Sequence, residues 1–566
     1  MTPLSLQLQS LFSKKKYFEI IEIIEKQTKE NDRSAGLLNV YGVCKVLTYT
    51  DNLDDLILAL QNFKKAIQKE NKTTIGLEAL INYINVLIEI FDKEDTGPKS
   101  NVKFKDMEEA IYLFEQAKSH FGYNYRLYLS VVRIYKRLNQ INKSINYLQQ
   151  IKMKNDLDIG SFSSYIYYNS FLNNWSQTSF FLETSLINSF CEKINSENFF
   201  NIKKKNNKKI KIGFVSSDIQ KKHSITFFLK TILLEYDKNE FEINLYLNNK
   251  TDDETTDDFK HIVDCSYNIF NLSDLEAINL IRKDKLDIVF DLMGITSSHR
   301  INLFKNRLAP IQISWLGYCN TSGLVEMDFL IADKNLIYPN EDRLYSEKII
   351  YLDNIWTCHE GFIYERKHVE SPMMKNGYIT FGSFNNFNKI NDTVVKTWSN
   401  ILKNLKNSKI ILKSSTKIDQ TYLKEKFNSF GVLESVIFLN KERSHSNHLE
   451  TYNKIDVSLD TFPYNGVTTS FESIWKGVPV LTIKGFNFNS RCGESINKNI
   501  NLTKLIAKDV EDYTFKAIEL GSCENELIKI RKKIFYEALL SPLFNKKEFS
   551  NNFYSLIKKL KKNISG

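Results

Sequence analysis

From the N-terminus to about residue 152, apolar residues recur at helical spacing with almost no glycine or proline between them. "ALQNFKKA" puts Ala59, Phe63 and Ala66 on one face, and "AIYLFEQA" repeats this with Ala110, Phe114 and Ala117. "SINYLQQI" places Ser144, Leu148 and Ile151 at the same offsets. Small residues there let neighbouring helices approach, while the larger side chain fills the gap between them. Residues 153–200, rich in Ser, Tyr and Phe, read as further helix leading into a Lys-rich run. From 209 the texture changes to short apolar runs separated by amphipathic segments: "IKIGFVS", "FEINLYL", "LDIVFDL", "PIQISWLG", "DFLIAD" and "KIIYLD". After about 377 it restarts with "YITFGSF", "SKIILKS", "SVIFLN", "DVSLDTF" and "PVLTI". Such strands with intervening helices imply two consecutive doubly wound α/β units. The expected division is 1–152 helical repeats, 153–208 helical connector and Lys-rich linker, 209–365 first α/β unit, 366–377 linker, and 378–566 second α/β unit with a terminal helix.

The second and third copies of the helical signature stand 34 residues apart, and the first two 51. Ala-x3-Phe-x2-Ala at that 34-residue period resembles the second helix of a tetratricopeptide repeat; a plain amphipathic bundle is the competing reading. The longer spacing makes "DKEDTGPKSNVKF" a loop insertion. A solenoid of this kind binds peptides or protein partners along its concave face, so such partners are expected.

Composition narrows the class. A chain of 566 residues is too long for one core, and its 42% hydrophobic and 13% aromatic content exclude wholesale disorder. A net charge of +10 over this length permits an acidic ligand without demanding nucleic acid, and "KKKNNKKIK" at 203–211 reads as a solvated linker. Seven scattered cysteines without a C-x-x-C pair point to reduced thiols rather than disulfides or zinc. No secretory-type h-region and no run of about 18 apolar residues stands out, so a cytoplasmic protein without a membrane span is expected.

In doubly wound sheets the ligand sits beyond the carboxyl ends of the strands. The loops there carry His223 in "IQKKHSITFF", Thr321 in "YCNTSG", Asn386 and Lys389 in "NNFNK", and His445 and His448 in "KERSHSNH". After "DVSL" comes "DTFPYNGVTTSFESIW", where Gly466, Thr468 and Thr469 stand at a helix entrance. Unpaired N–H groups and the helix dipole favour an anion at such a place. For a phosphate-bearing ligand the two threonines would hold a diphosphate, and Lys389 would set a cation against the charge developing on it. Glu472, one turn deeper on the same face, would accept from ribose hydroxyls. His223 projects from the opposite unit, where a group acting on an acceptor belongs. Blander readings compete: Thr-Thr as an ordinary N-cap, Lys389 as a surface lysine, His223 as a loop histidine. His445 and His448 have metal-like spacing without an evident Cys or carboxylate partner, so no metal is expected.

Taken in order, "IGFVSSD…H", "RLAPIQISWLGYCNTSG", "FGSFNNFNKI" and "LDTFPYNGVTTSFESIWKGVPVLT" resemble the catalytic region of the O-GlcNAc transferase and SPINDLY family of protein O-glycosyltransferases, over about residues 209–545. The resemblance implies a GT-B fold of two Rossmann-like units behind tetratricopeptide repeats. It also implies metal-independent, cofactor-free, inverting transfer from a nucleotide sugar to Ser or Thr of a protein. By position it makes Lys389 the diphosphate lysine and assigns Gly466, Thr468 and Thr469 to the diphosphate loop. Asn386 then lies beside the nucleotide, His448 near the base, Glu472 at the ribose and Thr321 in the loop near the donor sugar. His223 is the histidine at the active-site mouth. Animal members have His where this chain has Val467, Asp where it has Glu472, a basic residue where it has Thr451 and Pro where it has Cys319. The "DTFPY-x-G-x-TT…ES" form resembles SPINDLY proteins, whose plant member transfers fucose from GDP-fucose. UDP-GlcNAc is the expected donor. GDP-fucose or UDP-glucose, acting on a protein or a surface glycan, is the alternative, and a non-catalytic repeat adaptor is a further one.

Overall fold

The computed structural model describes residues 3–50, 52–94, 103–194, 209–221, 223–362, 364–413, 417–440, 442 and 444–565. Most of the expected loop insertion and of the Lys-rich run lies outside them. Two compact units emerge, residues 1–157 with 415–422, and residues 158–414 with 423–566.

The first unit is helical: Pro3–Ser13, Tyr17–Gln27, Ala35–Leu47, Leu53–Lys69, Thr74–Glu94, Phe104–Phe121, Tyr125–Arg137 and Ile141–Met153. All nine signature positions are buried, with Phe63 and Phe114 at 1% and 0% exposure. Phe63 packs where Gly42 offers no side chain; a Cβ there would come within 2.7 Å of the ring. The helix over Thr74–Lys93 is, by length and composition alone, apolar enough to cross a bilayer. It is the central helix of this unit, and 67% of its apolar window is buried there.

The second unit holds two parallel sheets. One comprises β1 (Ile210–Ser216), β2 (Phe241–Leu247), β3 (Cys265–Asn268), β4 (Ile288–Asp291), β5 (Ile311–Ser314), β6 (Phe329–Ala332) and β7 (Lys348–Tyr351), in the order 3-2-1-4-5-6-7. The other comprises β8 (Thr380–Ser383), β9 (Lys409–Lys413), β10 (Val436–Leu439), β11 (Val457–Leu459), β12 (Val480–Ile483) and β13 (Ile506–Ala507), in the order 10-9-8-11-12-13. Each order reverses once, between β1 and β4 and between β8 and β11, and a crevice opens at such a switch point. The strands read from apolar runs are present. The half-exposed edge strand β3 and the two-residue β13 carried no such run.

The expected domain boundaries shift in two places. Connector helices Ile159–Asn169 and Gln177–Ser185 belong to the second unit, where Gln177 Nε2 donates to Asn320 Oδ1 at 3.1 Å and to the Leu344 carbonyl at 3.0 Å. The terminal helix Lys546–Ser565 crosses back onto the layer over the first sheet. There Tyr554 Oη donates to the Ile232 carbonyl at 3.0 Å, and Phe553 packs against Trp315 with centroids 5.0 Å apart.

Candidate active site

The loop after β11 is organised by Asp460, buried at the strand end. Its carboxylate accepts from the Gly466 amide at 2.7 Å, the Thr461 amide at 2.9 Å and the Thr482 hydroxyl at 2.8 Å. Burial raises its pKa to about 6 against the pull of those donors and of Lys389. The loop delivers the chain to helix Thr468–Trp475, whose N-cap, Val467, makes no side-chain cap bond. The Ser470 and Phe471 amides reach the Val467 carbonyl, while those of Thr468 and Thr469 have no partner among the described residues. Nor do the threonines cap the helix, since the Thr469 hydroxyl donates to Asn385 Oδ1 at 2.8 Å. A Cβ on Gly466 would lie 2.4 Å from Thr469 Oγ1 and 2.6 Å from Asn385 Oδ1, so only glycine preserves this pairing. Two unpaired amides at the positive end of a helix are an anion site.

Lys389 ends the short turn Phe387–Lys389 after β8. Its Nζ donates to the Asn465 carbonyl at 2.8 Å and stands 4.3 Å from the centre of the Tyr464 ring. Burial lowers its pKa, and the Asp460 charge opposes that fall. Asn386 is exposed, and its side chain accepts from the Asn388 amide at 3.0 Å, which makes it the cap of this turn.

Glu472 is the acid expected at a ribose. It is 3% exposed and already holds three protein donors: His445 Nε2 at 3.0 Å, His448 Nε2 at 2.9 Å and Tyr452 Oη at 2.9 Å. Although burial alone would raise its pKa, the two histidines hold it far below the usual carboxylate range. His448 Nδ1 faces the Lys413 ammonium, so Nε2 carries the proton given to Glu472. Glu472 therefore fixes the orientation of the two histidines. His445 stacks on Phe227 from the other sheet's layer, with centroids 5.2 Å apart.

Across the cleft, His223 sits at the N-cap of helix Ser224–Leu233 without capping it. Its Nε2 is 3.6 Å from Asp218 Oδ1, and its Nδ1 is buried without a hydrogen-bond partner. Thr321, expected near a sugar, is fully buried; its hydroxyl donates to Glu347 Oε2 at 2.7 Å and pins the loop after β5. A further buried acid, Asp291, ends β4 and accepts from the Met293 amide at 2.9 Å and the Gly294 amide at 3.2 Å. Burial, with Glu347 and Asp218 adding to it, raises its pKa to about 7.

A folded-state pKa above the unfolded 3.8 means that the native chain holds this proton longer, so stability is lost as pH rises from about 4 to about 7. Asp291→Asn is expected to make that decline shallower in thermal melts across this range. An unchanged decline would show that Asp291 does not titrate as its burial demands.

Lys389, through the Asn465 carbonyl, and Gly466, against Thr469, thus adjoin the entrance of helix Thr468–Trp475, while His448, on helix His445–Thr451, reaches Glu472 on its flank and His223 stands on the facing unit. Sequence reasoning passed over Asp460 and Asn385, although both adjoin residues it had selected. It also passed over Lys413 and Tyr452, which only the fold brings to His448 and Glu472. Among the described residues no cluster of three His, Cys, Asp or Glu side chains is arranged to hold a metal.

The family model of glycosyl transferase family 41 matches residues 189–371 and 358–553. A SPINDLY protein of Hordeum vulgare, named a probable UDP-N-acetylglucosamine–peptide N-acetylglucosaminyltransferase, is 32% identical over 354 residues, covering 61% of this chain and 37% of that protein. Its Solanum lycopersicum counterpart is 31% identical over 62% of this chain and 38% of that protein. The SEC protein of Arabidopsis thaliana, named for the same activity, is 26% identical over 61% and 36%. This chain therefore spans little more than a third of the length of these relatives. An O-GlcNAc transferase variant from Thermobaculum terrenum superposes with a TM-score of 0.78 over 95% of this chain and 99% of that one, at 21% identity, which establishes a shared fold of helical repeats and two Rossmann-like units.

Proposed function

Because the chain belongs to glycosyl transferase family 41, we propose that it transfers a sugar from a nucleotide diphosphate donor to Ser or Thr hydroxyls of proteins, with inversion, taking N-acetylglucosamine from UDP-N-acetylglucosamine. The observation that carries this reading is the pair of unpaired amides at Thr468 and Thr469, with the Lys389 ammonium at the loop that precedes them. A diphosphate leaving group develops negative charge as its bond to the sugar breaks, and this arrangement meets that charge with preorganised donors. The acceptor hydroxyl attacks the anomeric carbon from the opposite face, on the side of His223. The Asp218 carboxylate 3.6 Å from one ring nitrogen of His223 supports this histidine as the group that takes the hydroxyl proton. The charges come from the chain itself, so the proposal includes no metal or cofactor. The protein acceptor is proposed to be held by the helical repeats, and the site of action to be the cytoplasm.

A second reading keeps the chemistry and changes the donor to GDP-fucose. It is favoured by the SPINDLY-like form of the segment from Asp460 to Ser473 and by Val467 and Glu472, which differ from the residues of animal members. Thermal melts with UDP-N-acetylglucosamine, UDP-glucose and GDP-fucose, each at saturating concentration, separate the donors. Protection by the first alone is the expected result. Protection by GDP-fucose alone selects the second reading, and no protection by any of them removes both.

A further inference from the structure

Three tyrosines from three separate segments meet beside Lys389, and none of their hydroxyls has a hydrogen-bond partner among the described residues. Tyr167 lies on the connector helix Ile159–Asn169, Tyr318 in the loop after β5 and Tyr464 in the loop after β11. The Tyr167 ring centre is 6.2 Å from that of Tyr318 and 6.3 Å from that of Tyr464, edge-on to both at 65° and 83°. Phe171, one turn along the connector helix, packs against Tyr167 at 5.0 Å and Tyr464 at 5.4 Å. Asn391 fixes this arrangement, its Nδ2 donating to the Phe171 carbonyl at 2.9 Å and to the Phe462 carbonyl at 2.8 Å. Tyr318 is 2% exposed, and its hydroxyl is fully buried and unsatisfied. Tyr167 and Tyr464 are half-buried.

A buried hydroxyl without a partner costs about 1–3 kcal/mol, so the Tyr318 hydroxyl, with the unpartnered hydroxyls of the half-buried Tyr167 and Tyr464 beside it, marks a spot where the partner comes from outside the chain. Burial raises the pKa of all three phenols, and Tyr167 adds to it at Tyr318 and Tyr464, so they stay neutral and can both donate and accept. Aromatic walls tipped with hydroxyls suit a ligand with apolar C–H faces and a polar rim. A pyranose has that chemistry, and Lys389, 4.3 Å from the Tyr464 ring, places the group next to the proposed diphosphate.

We infer that Tyr167, from the connector helix, completes the pocket for the transferred sugar together with Tyr318 and Tyr464, and that its hydroxyl bonds a ring hydroxyl of that sugar. This rests on the nucleotide-sugar reading above. It also goes beyond the family match, which begins at residue 189 and leaves Tyr167 outside.

The test is Tyr167→Phe in the full chain, which keeps the ring and removes one oxygen. Isothermal titration compares UDP with UDP-N-acetylglucosamine, and GDP with GDP-fucose, on the wild type and the variant. The expected result is unchanged affinity for the nucleoside diphosphate and a loss of roughly 3–10-fold for its sugar conjugate, the weight of one neutral hydrogen bond. Equal weakening of both ligands would make Tyr167 a scaffold residue, and no change in either would remove it from the pocket; both overturn the inference while the donor reading stands. Failure of the wild type to bind any of the four would overturn the donor reading and this inference together.

Discussion

Substituting Lys389 by methionine is expected to cut sugar transfer at least ~10²-fold, the cost of removing one preorganised donor to a developing negative charge. Methionine preserves most of the aliphatic stem of Lys389, so the fold should survive and the loss should be one of function. In the free protein Nζ donates to the Asn465 carbonyl, and removing that hydrogen bond changes stability by about 1 kcal/mol. The affinity for nucleoside diphosphate should fall as well, since the same charge faces that group in the product. Steady-state transfer assays and thermal melts on one preparation separate the two effects. Near-normal turnover would take Lys389 out of the mechanism, and a large drop in melting temperature would make it structural.

Glu472→Ala is the second large effect, and it should appear first in stability. Removing this carboxylate leaves three buried donors, on His445, His448 and Tyr452, with nothing to accept from them. It also removes the negative charge behind His448, the ring that the Lys413 ammonium faces. Breaking a buried charged network in this way costs about 3–5 kcal/mol. The effect carries a pH signature. Glu472 is held below the ordinary carboxylate range, so its contribution is fully present above the unfolded value of 4.5 and is lost as pH falls through the folded one. Denaturant unfolding should therefore show the widest gap between wild type and variant near neutrality and a narrowing gap under acid conditions. A gap below about 1 kcal/mol, or one that holds its size in acid, would mean that the three donors have other partners.

The strands around the crevice were legible in the sequence because each is an apolar run ending in a polar loop, and the parallel order follows from the helices between them. Gly466, Thr468, Thr469 and Lys389 were selected for a related reason, since loop chemistry at a strand end has few other uses. The partners of Glu472 in the free protein were not legible, because a carboxylate one turn into a helix looks the same in sequence whether it meets a ligand or a histidine. The answer lay in Tyr452 and in two histidines on another helix. The bond made by Thr321 was not legible because its buried partner, Glu347, comes from a different loop. Tyr167 gave no signal at all. Its segment reads as connector, and only folding carries it to Tyr318 and Tyr464.

The central claim is that the anion at the entrance of helix Thr468–Trp475 is the diphosphate of a sugar donor whose sugar passes to protein hydroxyls. Mass spectrometry of proteins co-expressed with the wild type or with Lys389→Met tests it most directly. The account predicts hexosamine on Ser and Thr residues with the wild type and its absence with the variant. Identical modification in both, or none in either, would contradict it.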